Sequence, residues 1–152
     1  MNTARSFSRL GLALTISLFA TSAMAASMSA YKNPWCGCCE AWVEAMRAAG
    51  HDVTTHDVED LDPVKRQAGV PADMEACHTV SMELDGRTYV IEGHVPREAV
   101  DKLISERTDI RGIAVPGMPD GSLGMGDDPA ARYTVWAFDG KGGKSRFYEA
   151  GK

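Results

Sequence analysis

The sequence predicts an α/β fold, a mixed sheet flanked by helices with a Gly/Pro/Met loop and a C-terminal β-hairpin appended. Three observations carry this reading. Strand-period and helix-period segments alternate from residue 27 to residue 68, which requires strands joined through helices. Asp85-Gly86 stands between two apolar runs, the strongest short hairpin signal in the chain. Residues 108 to 131 hold no periodic segment, but they carry glycines at 112, 117, 121, 124 and 126 and prolines at 116, 119 and 129. That stretch takes its shape from turns.

Residues 1–25 stand apart from the fold. Arg5 and Arg9 give a positive start, Leu10 to Ala20 form a short apolar run, and Ala23-Met24-Ala25 offers a small-x-small cleavage site. These are the parts of a secretory signal peptide, with an apolar core too short for a good membrane span. Residues 26–152 are then one domain, large enough for a real core. The expected destination is the bacterial periplasm, an oxidising compartment where disulfides persist. The whole chain has a formal charge of −5, and the leader carries two arginines and no acid, so the exported part is more acidic still. Phosphates would be repelled, which excludes nucleic acid as a partner. No membrane association is expected once the leader is gone.

The elements follow in order. Ser27 to Tyr31 is a short strand running into Asn33-Pro34-Trp35. From Cys38 to Ala49, Cys39, Trp42, Val43 and Met46 gather toward one face while Glu40, Glu44 and Arg47 point elsewhere, and Gly50 ends this helix. Asp52 to Asp57 alternates as a strand. Asp62 is placed as an N-cap with Pro63 at the first helical position, giving a short helix to Ala68. Gly69 to Ala76 is expected as loop, Thr79 to Leu84 and Arg87 to Ile91 as the hairpin strands. Pro96 opens a helix with Val100, Leu103 and Ile104 on one face. Tyr133 to Phe138 and Lys144 to Glu149 make the closing hairpin.

This order, β-α-β-α-β-β-α before the loop, is thioredoxin-like. It places the stretch "NPWCGCCE" at the turn from first strand to first helix, beyond the carboxyl end of a strand, where α/β folds carry their sites. In this topology the start of the third strand, Cys77-His78, and the end of the fourth, Gly93-His94, return to the same end of the sheet. All four cysteines of the chain fall in that set.

Cys36 and Cys39 have the C-x-x-C spacing of a redox dithiol, and Cys38 is surplus to it. A helix N-terminus stabilises thiolate, and thiolates are soft donors suited to Cu(I), zinc and iron–sulfur centres. Cys38 and Cys39, adjacent at a helix start, cannot easily chelate one ion with good angles but can bridge several. A dense thiolate knot in an exported protein therefore suggests copper, as Cu(I). Met118 and Met125 are thioether donors on a loop outside any apolar periodicity, unlike core methionines.

"WCGCCEAW", "ACHT", "GHVP" and "PGMPDGSLGM", in that order after a signal peptide, resemble the CopG-type periplasmic copper-resistance family, a thioredoxin-like family long described only as a domain of unknown function. The likeness spans nearly the whole exported chain. It implies copper binding through Cys36, Cys38 and Cys39 of the C-x-C-C motif, and it leaves open a copper redox role. Cys77, His94, Met118 and Met125 match the remaining motifs as metal ligands. Other periplasmic copper-handling proteins are the partners such a role implies. Leu123 departs from the proline usual in the family's loop.

Blander readings compete with this one. Four thiols can form structural disulfides, and three thiolates with a histidine can close a zinc site. A thiol–disulfide oxidoreductase using Cys36 and Cys39 is the main alternative, but such an enzyme needs a peptide-binding groove beside the dithiol, usually with a cis-proline just before the third strand, where Ala76-Cys77-His78-Thr79 stands without one. His78 would point away from Cys77 on an extended strand and is left out of the site. His51 and His56 are expected to be solvated, Trp35 to shield the thiols, Trp42 to lie in the core, and Met28, Met46, Met74 and Met82 to pack.

Overall fold

A computed structural model describes residues 26–151, and the leader assigned to residues 1–25 lies outside them. β1 (Ser27–Lys32), α1 (Gly37–Ala48), β2 (Asp52–Asp57), α2 (Asp62–Ala68), β3 (His78–Leu84), β4 (Arg87–Glu92) and α3 (Arg97–Glu106) follow one another as the thioredoxin-like order requires. A 3-10 turn, Ala72–Met74, separates α2 from β3. β5 (Gly112–Ala114), β6 (Tyr133–Phe138) and β7 (Lys144–Ala150) complete one seven-stranded sheet in the order β2-β1-β3-β4-β5-β6-β7.

β1 runs parallel to β2 and antiparallel to β3, β3 antiparallel to β4, and β4 parallel to β5. Register decides where the site can be. Lys32 at the end of β1 lies opposite His78 at the start of β3, and Thr79 lies opposite Glu92 at the end of β4. Three chain segments thus leave the sheet side by side.

The core explains the elements. α1 buries Cys39, Trp42, Val43 and Met46, the face expected from their spacing. Met28, Met46, Met74 and Met82 are all buried, as expected. The Trp42 indole N–H donates to the Val95 carbonyl at 2.8 Å, so this large ring is buried without an orphaned donor. The β3–β4 hairpin turns at Asp85 and Gly86, both with positive φ, as the Asp-Gly pair predicts.

Three details differ from expectation. β5 was not expected, and it makes the C-terminal hairpin a continuation of the main sheet: Ile113 pairs with Ile91 on one side and Ala137 on the other. α2 starts at Asp62 rather than after it. Its N-cap is Leu61, without a side-chain cap, while Asp60 accepts from the Asp62 N–H at 3.1 Å.

His51 is the third correction. It is buried, not solvated, and neither ring nitrogen has a hydrogen-bond partner. The Asp101 carboxylate lies 3.9 Å from Nε2, too far to hydrogen-bond. Burial lowers the His51 pKa below its ordinary value, with Arg97 adding to the effect and Asp101 opposing it. The unfolded chain therefore binds this proton more readily than the folded one. The contribution to stability is full above the ordinary histidine value and is lost as pH falls toward the depressed folded one. His51→Leu is accordingly expected to flatten the fall in Tm of the metal-free protein between pH 7 and pH 5. An unchanged slope in thermal melts across that range would count against it.

Candidate metal centre

The centre is built from the N-terminus of α1 outward. Asn33 folds the approach: its carbonyl accepts from the Cys36 N–H at 3.0 Å and its side-chain oxygen from the Trp35 N–H at 3.0 Å. Cys36 is then the N-cap of α1, its sulfur accepting from the Cys39 N–H at 3.3 Å. A sulfur in that position sits at the positive end of the helix dipole, which favours thiolate once the thiol is free. Cys36 and Cys39 are joined in a disulfide, and Cys38 and Cys77 are free thiols.

The sulfurs of Cys36, Cys38, Cys39 and Cys77 all lie within 4.8 Å of one another. Cys38 is 3.5 Å from Cys36, and Cys77 is 3.5 Å from Cys39. Cys77 also belongs to a second group with His78 and His94, whose donor atoms are mutually within 4.8 Å. The Cys77 sulfur is 2.9 Å from His94 Nε2 and 3.5 Å from His78 Nδ1. Cys77 is the shared vertex of a sulfur-rich set and an imidazole-bearing one.

Surroundings set the protonation of Cys77 and the two histidines. The buried His94 ring has Nδ1 at 2.8 Å from the Leu123 carbonyl, an acceptor only, so Nδ1 carries the proton and Nε2 presents its lone pair to Cys77. Burial lowers the His94 pKa, with the Leu123 bond opposing. His78 is pushed down to about 3, chiefly by burial and then by the charges of His94 and Lys65. It is a neutral imidazole, packed at 4.9 Å from Trp42 and edge-on at 5.0 Å to His94. Burial, and then proximity to Cys38, pushes the Cys77 thiol up to about 12. Metal binding at Cys77 would have to expel that proton.

The Gly/Pro/Met loop borders this cluster. The Gly117 N–H donates to the Glu75 carbonyl at 3.2 Å and Gly117 bridges Ala76, so the residue before Met118 is paired with the residue before Cys77. At its other leg Gly124 lies against α1: a Cβ there would meet the Cys38 carbonyl at 2.5 Å and the Trp42 backbone nitrogen at 3.0 Å. Met125 follows directly, half-buried, whereas Met118 is 54% exposed. Trp35 is 78% exposed and does not shield the thiols as expected.

His78 was the residue missed beside the expected set. Cys77 sits in a bend before β3 begins, so the alternation that would separate Cys77 from His78 does not yet apply. A second omission lies beneath the cluster. Glu92, fully buried at the end of β4, accepts from the Ala76 N–H at 2.7 Å, from the Thr79 hydroxyl at 2.6 Å and from the Lys65 ammonium. The signal available was a carboxylate closing the run "YVIE" at the end of β4.

A family model described as a protein of unknown function, DUF411, matches residues 74–125, which include Cys77, His78, His94, Met118 and Met125. No curated protein matches the chain. Two solved structures, of copper resistance protein CopG in a form 1 and a form 2, are similar at 39% identity and a TM-score of 0.72. They cover 83% and 82% of this chain, and the likeness takes in 98% of each of theirs. The chain belongs to the CopG family of copper resistance proteins.

Proposed function

We propose that the protein binds copper as Cu(I) in copper resistance, through thiolates bridging more than one ion. One observation carries the reading: four cysteine sulfurs from two chain segments converge within 4.8 Å, in a chain whose relatives are named copper resistance proteins. Cys36, Cys38, Cys39 and Cys77 are the sulfur ligands. His94, with Nε2 unprotonated and 2.9 Å from the Cys77 sulfur, joins beside Cys77, and Met118 and Met125 cover the site from the loop. Soft sulfur donors select Cu(I), while imidazole also suits Cu(II), so the mixed set is compatible with a change of copper oxidation state. Residues 1–25 would direct export to the periplasm. Among the described residues no helix is long and apolar enough to cross a membrane.

The Cys36–Cys39 disulfide sets a condition. It withholds two thiolates until two electrons and two protons convert it to a pair of thiols. An anaerobic Cu(I) titration of the reduced protein against a chromophoric Cu(I) chelator should end above one ion per chain, and the disulfide form should take up less. An endpoint of one zinc, with no competition from Cu(I), would overturn the proposal.

The same disulfide favours a second reading, a thiol–disulfide oxidoreductase with Cys36 as its more exposed sulfur and Cys39 buried. Against it, the chain before β3 is Ala76-Cys77, without the expected proline. Reduction of insulin by a Cys38→Ser variant that keeps full copper content would place the oxidoreductase ahead.

The methionines have their own test. Met118→Ala with Met125→Ala should weaken Cu(I) retention while leaving the metal-free Tm unchanged, since neither lies in the core, where Met→Ala costs about 2–5 kcal/mol. A thioether has no proton to regain, so the deficit should persist as pH falls to 5 while thiolate and imidazole donors weaken. A lower Tm with unchanged copper affinity would mean that they pack rather than bind.

A further inference from the structure

Beneath the thiol cluster lies a group that the copper reading does not use. α2 is a short polar helix whose charged side chains face water, with one exception: Lys65 is turned inward and is 5% exposed. Its ammonium reaches the Glu92 carboxylate and the Thr79 hydroxyl, the latter at 3.1 Å. Glu92 is wholly buried, and burial raises its pKa while Lys65 opposes the rise. Taking such a pair out of water is costly, and apolar residues of similar volume often serve a fold as well or better. Stability is therefore a weak reason for this pair.

Position supplies a better one. Ala76, whose N–H Glu92 accepts, immediately precedes Cys77, and Thr79 immediately follows His78. Glu92 itself stands two residues before His94, and it pairs with Thr79 across the β3–β4 ladder. One carboxylate thus ties together the two segments that bring Cys77, His78 and His94 to one point. The Lys65 ammonium holds that carboxylate from below.

We propose that the Lys65–Glu92 pair positions the Cys77 and His94 arms of the centre, acting through the Ala76 amide and the Thr79 hydroxyl. The pair touches no donor atom. Its part in metal binding rests on the copper reading, but its hold on Cys77 does not. Substitutions at such outer partners of metal ligands cost roughly 10–100-fold in affinity.

The test is a Lys65→Met/Glu92→Leu double variant, which removes both charges without leaving one unpaired. Two measurements are compared with the wild type. The first is Cu(I) affinity of the reduced protein by chelator competition, expected to fall by about 10–100-fold with the metal-free Tm within a few degrees of wild type. The second needs no metal: alkylation of Cys77 in the disulfide form, in a Cys38→Ser background where Cys77 is the remaining free thiol. Labelling should become severalfold faster once the Ala76 amide has lost its acceptor. Either measurement unchanged in a folded variant overturns the proposal. If the double variant does not fold, the isosteric Glu92→Gln is judged by the same two criteria, with smaller changes expected. If wild-type protein takes up no copper, the copper reading fails, and the labelling rate alone decides whether the pair positions Cys77.

Discussion

Cys77→Ser is expected to reduce Cu(I) affinity more than any other single substitution among the donors, by more than about 100-fold, the upper end of what outer-sphere changes cost. Cys77 is the one sulfur common to both donor groups, so its loss separates the α1 thiolates from His78 and His94. Serine offers a hard oxygen where a soft sulfur stood. A second signature accompanies the loss. Because the Cys77 thiol is pushed up to about 12, it is protonated in the metal-free protein at neutral pH, and ligation releases that proton. Each released proton steepens the rise of log affinity with pH by about one per pH unit. The serine variant should therefore show a slope shallower by about one. Chelator competition between pH 6 and 8 reads both quantities. A wild-type slope with full affinity would remove Cys77 from the ligand set.

Gly124→Ala should have the next largest effect, and by a different route. Gly124 has φ +83°, and its Cβ would meet the Cys38 carbonyl at 2.5 Å, a backbone atom within α1 that cannot swing aside. A side chain held in such a backbone conformation costs about 1–3 kcal/mol. The loop can relieve both penalties by lifting off α1, leaving the sheet intact. His94 would then lose the Leu123 carbonyl that fixes its tautomer, and either ring nitrogen could carry the proton. Cu(I) affinity should fall by about 10–100-fold, as for other second-sphere losses, with a smaller drop in the metal-free Tm. Retained affinity with a lowered Tm would show that the loop matters only to the fold.

The sequence was easiest to interpret where its signals were local. The Asp85-Gly86 turn, the amphipathic face of α1 and the start of α3 after Pro96 are local signals, written within a few residues. The convergence of Cys36, Cys38, Cys39, Cys77 and His94 followed from strand order alone, since β1, β3 and β4 must meet at one end of the sheet. What stayed hidden depended on distant partners. β5 is three residues long, and Gly112-Ile113-Ala114 is a strand because β4 and β6 flank it. His78 turned on a bend at Cys77, and His51 on the packing of α3 against a loop. Lys65 and Glu92 are 27 residues apart, and only the fold makes them a pair.

The bond between His94 and Leu123 is made by a main-chain oxygen, and every amino acid supplies one. The side chain at 123 can therefore be exchanged without touching the imidazole's chemistry. Drift at 123 is compatible with a constant function so long as the loop's path survives. The glycine beside it enjoys no such freedom, because its contact with α1 depends on having no side chain at all.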